Sequence, residues 1–336
     1  MGKIMGTIQT IKRSLLAMCA LTLVACGSEV EFSSITSYSI TSLGDDRFQV
    51  TEAFDINKSS SRKVDIIWII DNSGSMTAEA AHVRANYLEF TNGLIGQADI
   101  KSVLISDEGT DGNKVRMPDE LRGDSHMQVD RYVHSRDAMC IAQATLFTQQ
   151  EHLDKTSSGG CAERFGHATP TLGLMEFLRP TSQKVFIFVT DDNEGFTTSN
   201  SFLNDFRSTF NQDPLVYGFI GLGAQSPCQA RTGNVYKDAV QATGGAFYNI
   251  CDTDWSQHFA QLTNHVSQSV KSTFSLSFPD IENDDITVTV DGRVLDASEY
   301  TLDSGLLRID ETVLLNATGQ VVVTYVTVIE EESIDP

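Results

Sequence analysis

Residues 64–76 read VDIIWIIDNSGSM, an apolar run that ends in Asp71 and then sets Ser73 and Ser75 at alternate positions. Ile66, Ile67, Ile69 and Ile70 leave no polar face, the pattern of a central parallel strand covered on both sides. Asn72-Ser73-Gly74 stops such a strand abruptly. Ligands of open α/β sheets sit just beyond the carboxyl ends of strands. Asp71, Ser73 and Ser75 are therefore expected to stand together at a binding end; the alternative is a capped strand-to-helix turn in which Asp71 or Ser73 satisfies backbone donors.

Outward from this stretch, residues 64–272 alternate short apolar strands with helical segments, which predicts an α/β fold: a doubly wound, Rossmann-like, mostly parallel sheet flanked by helices. Further strands are expected at Ile100–Ser106, Lys184–Asp191, Pro214–Leu222 and Gly245–Cys251, each rich in β-branched or aromatic residues. Val83, Tyr87, Phe90 and Leu94 recur at helical spacing, as do Phe202, Phe206 and Phe210, and Trp255, Phe259, Leu262, Val266 and Val270. These aromatics read as core. Gly244-Gly245 reads as the left-handed end of the helix before it. From Thr273 the period changes to two, and residues 273–336 are expected to form a small all-β, sandwich-like module.

The amino terminus reads as a targeting segment. Lys3, Lys12 and Arg13 form a basic region, Leu15–Val24 is an apolar core too short to span a bilayer, and Leu23-Val24-Ala25-Cys26 resembles the lipobox of bacterial lipoproteins. That resemblance implies a signal peptide at 1–25, acylation of Cys26, and a lipid-anchored, extracytoplasmic protein of the cell envelope. Residues 26–63, rich in Ser, Thr and acids, are expected to be the anchor and tether, with one short strand at Arg47–Ala53. The formal net charge of −21 becomes about −24 once the three signal-peptide cations are removed. Such a balance speaks against nucleic acid as a partner and suits cations or basic partners.

Outside the cytoplasm, the four cysteines beyond Cys26 suggest two disulfides. Three pairings of Cys140, Cys161, Cys228 and Cys251 are possible, and the one joining neighbouring segments, Cys140 with Cys161 and Cys228 with Cys251, is preferred. A zinc site would need a C-x-x-C spacing that the chain lacks. Residues 109–165 form a long polar stretch after a strand's carboxyl end and are expected to rim the site.

The D-x-S-x-S pattern on such a strand, followed by Met76, resembles the metal-ion-dependent adhesion site of the von Willebrand factor type A family. Two later segments extend the resemblance. Gly166-His167-Ala168-Thr169-Pro170-Thr171 looks like the family's threonine-bearing turn, with Thr169 matching the metal-binding threonine and Thr171 the other choice. Val185–Asp192 is similar to the strand that ends in Thr-Asp-Gly, with Asp191 matching the aspartate and Asp192 standing where the family has glycine. The resemblance implies a site of Asp71, Ser73, Ser75, Thr169 and Asp191. It also implies an antiparallel edge strand and a helix near Met127–His134 and Met139–Gln149.

Two carboxylates and three hydroxyls are hard donors suited to Mg²⁺, or to Mn²⁺ or Ca²⁺. Neutral hydroxyls leave the ion's charge partly uncompensated, so it can attract a carboxylate from a protein partner. The expected function is binding or adhesion. Two other readings stay open: an envelope assembly factor or scaffold with a structural ion, and a metal-dependent hydrolase. No nucleophile elbow, H-E-x-x-H, phosphate loop or dinucleotide fingerprint is present, and the chain is not read as an enzyme.

Overall fold

The computed structural model describes residues 35–56, 63–95, 97–121, 123–146, 161, 174–223, 230–278, 281–282, 286–314 and 317–328. In chain order they form β1 (Ile35–Gly44), β2 (Arg47–Asp55), β3 (Lys63–Ile70), α1 (Thr77–Leu94), β4 (Asp99–Ser106), β5 (His126–Asp130), α2 (Ala138–Leu146) and the short α3 (Leu174–Phe177). Then follow β6 (Gln183–Thr190), α4 (Ser199–Phe210), β7 (Leu215–Ile220), α5 (Asn234–Thr243), β8 (Phe247–Asn249) and α6 (Ser256–Lys271). The chain closes with β9 (Thr273–Ser275), β10 (Thr287–Val290), β11 (Arg293–Val294), β12 (Tyr300–Asp303), β13 (Leu306–Ile309), α7 (Glu311–Leu314) and β14 (Gln320–Val328). No helix among the described residues is long and apolar enough to cross a membrane.

The apolar run becomes β3, at the centre of a six-stranded sheet of order β5-β4-β3-β6-β7-β8. Its neighbours β4 and β6 are both parallel to it. Every residue from Val64 to Ile70 is buried, because both faces are covered. Val64, Ile66, Trp68 and Ile70 point into a core built with α1 and α6, while Ile67 and Ile69 point into a second core with α2, α4 and α5. Trp68 shows how one face closes: its ring stacks on Phe259 at 5.8 Å and meets the edge of Phe90 at 5.2 Å. The chain leaves β3 toward β4 on one side and enters β6 on the other, so the strand order reverses between β3 and β6. A crevice opens there, at the carboxyl ends.

Two expectations are corrected. The edge strand β5 runs parallel to β4, with Ser102 opposite His126 and Ser106 opposite Asp130, so residues 107–125 carry the chain back down and all six strands run one way. The segment read as a tether is not one throughout. Residues 35–55 form a hairpin whose second strand, β2, pairs along its whole length with β14, from Asp55 opposite Gln320 to Arg47 opposite Val328. Two left-handed residues, Asp45 and Asp46 (φ 52° and 58°), make its tight turn.

The β-module is therefore discontinuous. A sheet of order β1-β2-β14-β10-β11 packs on a smaller one, β12-β13-β9. Val50 and Phe54 share a core with Phe274, Val288, Leu307, Val323 and Tyr325. The α/β domain is inserted between β2 and β9. Arg308 ties the two, donating to Gln183 Oε1 at 2.6 Å and to the Asp213 carbonyl at 2.8 Å.

Candidate functional site

Asp71 follows β3 directly, and its amide donates to the Val189 carbonyl of β6 at 2.9 Å, so the ladder runs to the strand's last residue. The turn after it is then held by three side chains. Asp71 Oδ1 accepts the Ser73 amide at 2.7 Å. Asn72 Nδ2 donates to Ser106 Oγ at 3.0 Å and to the Asn113 carbonyl at 2.8 Å, while its Oδ1 accepts the Asp107 amide at 2.8 Å. Asn113 donates back to the Asn72 and Ser73 carbonyls. The Asn72 amide reaches the Val133 carbonyl at 2.7 Å. Asn72 thus staples the ends of β3, β4 and β5 together, a role the sequence reading missed. Its signal was a wholly polar side chain between two ligand candidates, where the turn gives it nowhere to go but inward.

Ser73 Oγ and Ser75 Oγ lie 3.1 Å apart. Gly74–Met76 form a single 3₁₀ turn that leads into α1. Met76 is wholly buried and anchors that turn in the core. Across the crevice, the Thr190 hydroxyl lies 2.8 Å from Asp71 Oδ2 and 3.1 Å from the Ser135 carbonyl. Asp191 and Asp192 follow. With Ser75, Glu79, Ser135 and Arg231 they line an open cavity of about 590 Å³ at the carboxyl end of the sheet.

The far wall of that cavity is set by a close approach. The Arg231 amide donates to the Asp191 carbonyl at 2.8 Å, and a side chain at Gly221 would place its Cβ 1.9 Å from the Arg231 carbonyl oxygen. Only glycine fits at that position. Arg231 stands 3.7 Å from Asp192 but is itself largely exposed. The loop between Asp191 and α4 is fixed from below by Glu194. This buried carboxylate accepts the amides of Met139, Gly195 and Phe196 at 2.9–3.0 Å and the Tyr236 hydroxyl at 3.2 Å.

Electrostatically the centre is acidic. Asp71 is inaccessible to solvent, and burial, with the charge of Asp191 added, pushes its carboxyl up to about 7 against the pull of the Ser73 and Thr190 hydrogen bonds. Burial likewise raises Glu79, again with Asp191 contributing. The donors that meet here are carboxylates and hydroxyls. Among the described residues no three His, Cys, Asp or Glu side chains converge as a metal cluster.

Of the five residues in the expected site, Asp71, Ser73 and Ser75 come together, and Asp191 shares the cavity with Ser75. Thr169 and its alternative Thr171 lie outside the described residues, as do Cys26 and Cys228. Cys140 and Cys161 form the expected disulfide. Cys251, on the cavity wall, is also disulfide-bonded.

No protein-family model matches the chain, and no curated protein does. Among solved structures it is similar to a pilus adhesin, SpaC from Lactobacillus rhamnosus GG, at 14% identity and a TM-score of 0.34, over 89% of this chain and 44% of that one. The chain thus spans less than half of that adhesin's length. A likeness this distant says nothing about the site.

Proposed function

We propose that the α/β domain is a doubly wound, Rossmann-like domain of the von Willebrand factor type A kind. In this reading it holds a divalent cation, Mg²⁺ or else Mn²⁺ or Ca²⁺, and uses the ion to bind a carboxylate of a protein partner. The observation that carries the reading is Asp71: a fully buried carboxylate that feels the charge of Asp191, whose hydrogen-bond partners among the described residues are all neutral, close to the paired hydroxyls of Ser73 and Ser75, the second of which lines the cavity. A cation there would relieve the repulsion that burial and Asp191 impose. Asp71, Ser73, Ser75, Asp191 and Thr169 would hold it, all through the hard oxygen donors that such ions prefer. A further position on the ion would be left to the partner. The lipobox-like run ending in Cys26 supports a lipid-anchored, extracytoplasmic setting.

Mg²⁺ titration followed by thermal unfolding tests the site. Wild type should gain stability with Mg²⁺ and lose the gain in chelator, while Asp71→Asn and Ser73→Ala should fold and show no Mg²⁺ response. Equal responses in all three proteins would sink the proposal. Chelator-sensitive capture of a partner, lost in Ser73→Ala, would separate a gripping ion from a structural one.

A further inference from the structure

The cavity at the carboxyl end of the sheet is hostile to the very group it is proposed to bind. Glu79, Asp191, Asp192 and Asp252 all line it, and each repels a carboxylate on its way to the ion. Among the described residues of the wall, Arg231 is the one lysine or arginine that offsets them.

Arg231 is fixed at its root and loose at its tip. Its amide donates to the Asp191 carbonyl at 2.8 Å, and two residues on the Gly233 amide donates to the Gly221 carbonyl at 2.9 Å, so this stretch is stapled just beyond the ends of β6 and β7. The preceding residue, Ala230, is buried. The Arg231 side chain is instead 71% exposed, and Asp192 Oδ2 lies 3.7 Å from its Nη1, too far for a good hydrogen bond. An exposed contact of this kind holds weakly. Asp192 does not need it to stay in place, because Asp192 Oδ1 accepts the Asn193 amide at 2.8 Å. The guanidinium can therefore leave Asp192 without loosening the loop.

A carboxylate has two oxygens, and an ion that binds it through one leaves the other facing the acids of the wall. A guanidinium suits that second oxygen, being planar, permanently charged and equipped with paired N–H donors. We propose that Arg231 is the specificity-determining residue of this site: it swings off Asp192 and donates to the second oxygen of the partner's carboxylate, so that the ion and the guanidinium hold one carboxylate between them. This rests on the cation reading above and adds to it a contact that the ion cannot supply. The ion alone accepts any hard oxygen, including a neutral carbonyl. Arg231 makes the choice in favour of a carboxylate.

Mn²⁺ and acetate are the probes, used with the full chain in neutral detergent at constant ionic strength. The electron paramagnetic resonance signal of free Mn²⁺ reads ion uptake, and relaxation of the acetate methyl protons by bound Mn²⁺ reads carboxylate binding. Arg231→Gln and Arg231→Lys should take up Mn²⁺ at least as tightly as wild type. Acetate should bind Arg231→Gln about tenfold more weakly than wild type, and Arg231→Lys, a point charge without the fork, should recover only part of the loss. Acetamide, uncharged and of the same shape, should not distinguish the three proteins. No Mn²⁺ uptake by wild type would sink the cation reading and this inference with it. Mn²⁺ uptake with equal acetate affinity in wild type and Arg231→Gln would overturn the role of Arg231 and leave the ion in place. Arg231→Lys that matches wild type would reduce the contact to charge alone and overturn the fork.

Discussion

Two aspartates that never meet solvent mark the ends of β3, Asp65 within it near the amino end and Asp71 just beyond its carboxyl end, and the molecule treats them in opposite ways. Asp65, at the amino end, receives Arg179 Nε at 2.8 Å, the Arg179 amide at 2.7 Å and Ser182 Oγ at 2.6 Å, with Lys184 Nζ 3.6 Å away. Arg179 goes on to Asp99 at 2.6 Å. Burial lowers Lys184 to about 8, against the attraction of Asp65. Asp71, at the carboxyl end, receives an amide and a hydroxyl, and its neighbour Asp191 is another acid. A buried charge is tolerated when it is paired. The protein supplies cations to Asp65 at one end of the strand, while the partners of Asp71 at the other end are neutral; in the proposed function a cation from outside would take that place.

The comparison breaks first at Arg179. Arg179→Ala would leave Asp65 with Lys184, 3.6 Å away, as its remaining cation among the described residues and would free Asp99 and the Val64 carbonyl, so unfolding in urea should show a loss of about 3 kcal/mol. At the other end the sign should reverse. Asp71→Asn keeps an acceptor for the Ser73 amide and removes a charge that nothing offsets, so in chelator the variant should be more stable than wild type by about 1–3 kcal/mol. It should also have lost the stabilisation by Mg²⁺. A destabilised Asp71→Asn in chelator would show that Asp71 is as structural as Asp65.

Neutral partners alone do not make a site, and Glu52 shows why. It is buried in the sandwich, accepting the Tyr325 hydroxyl at 2.6 Å and the Ser277 amide at 3.1 Å. Burial raises its carboxyl above the ordinary 4.5, against the pull of those hydrogen bonds. Unlike Asp71, it has no second acid acting on it among the described residues. A raised carboxyl contributes stability below its unfolded value that is lost as pH rises through the folded one. The stability of Glu52→Gln relative to wild type should therefore increase as pH rises from about 4.5 upward and level off once pH has passed the raised folded value. Unfolding free energies measured across pH 4–8 check this; a difference that does not change with pH would mean that Glu52 stays ionised at no cost.

The Asp65–Asp71 contrast was only half legible in the sequence. The carboxyl end announces itself, because Asp71, Ser73 and Ser75 follow an apolar run at the point where the strand stops. Asp65 lies inside the run, and its partners Arg179 and Lys184 are more than a hundred positions away, before a strand and in it. A lone acid among isoleucines signals that a cation must exist, but not which one. Of the β1–β2 hairpin only the second strand was expected, at Arg47–Ala53, and the structure has it at Arg47–Asp55; β1 and the pairing were hidden differently. The inward row of β2, Val50, Glu52 and Phe54, is interrupted by an acid that only Tyr325 and Ser277 make tolerable, and the turn uses Asp45-Asp46 where Asn-Gly would have been read at once. The partner strand, β14, is some 270 residues further on. A parallel β5 was beyond reach for a related reason: strand direction is set by where the long connection runs, which periodicity does not record.

Asp192 offers the finest test of the open end. Its Oδ1 accepts the Asn193 amide at 2.8 Å, and its Oδ2 lies 3.7 Å from the exposed Arg231 guanidinium. The side chain therefore holds the loop after β6 and also adds a negative charge to the cavity that Asp191 lines. Asp192→Asn separates these two jobs, because the amide oxygen can still accept from Asn193. If the open end attracts a cation through its summed charge, this variant should bind Mg²⁺ about 2–5-fold more weakly at low ionic strength. The difference should shrink toward nothing in roughly 0.5 M salt, where the Debye length falls below the width of the cavity. A loss that salt does not erase would assign Asp192 to the ion's own coordination, and no loss would confine the attraction to Asp71 and Asp191.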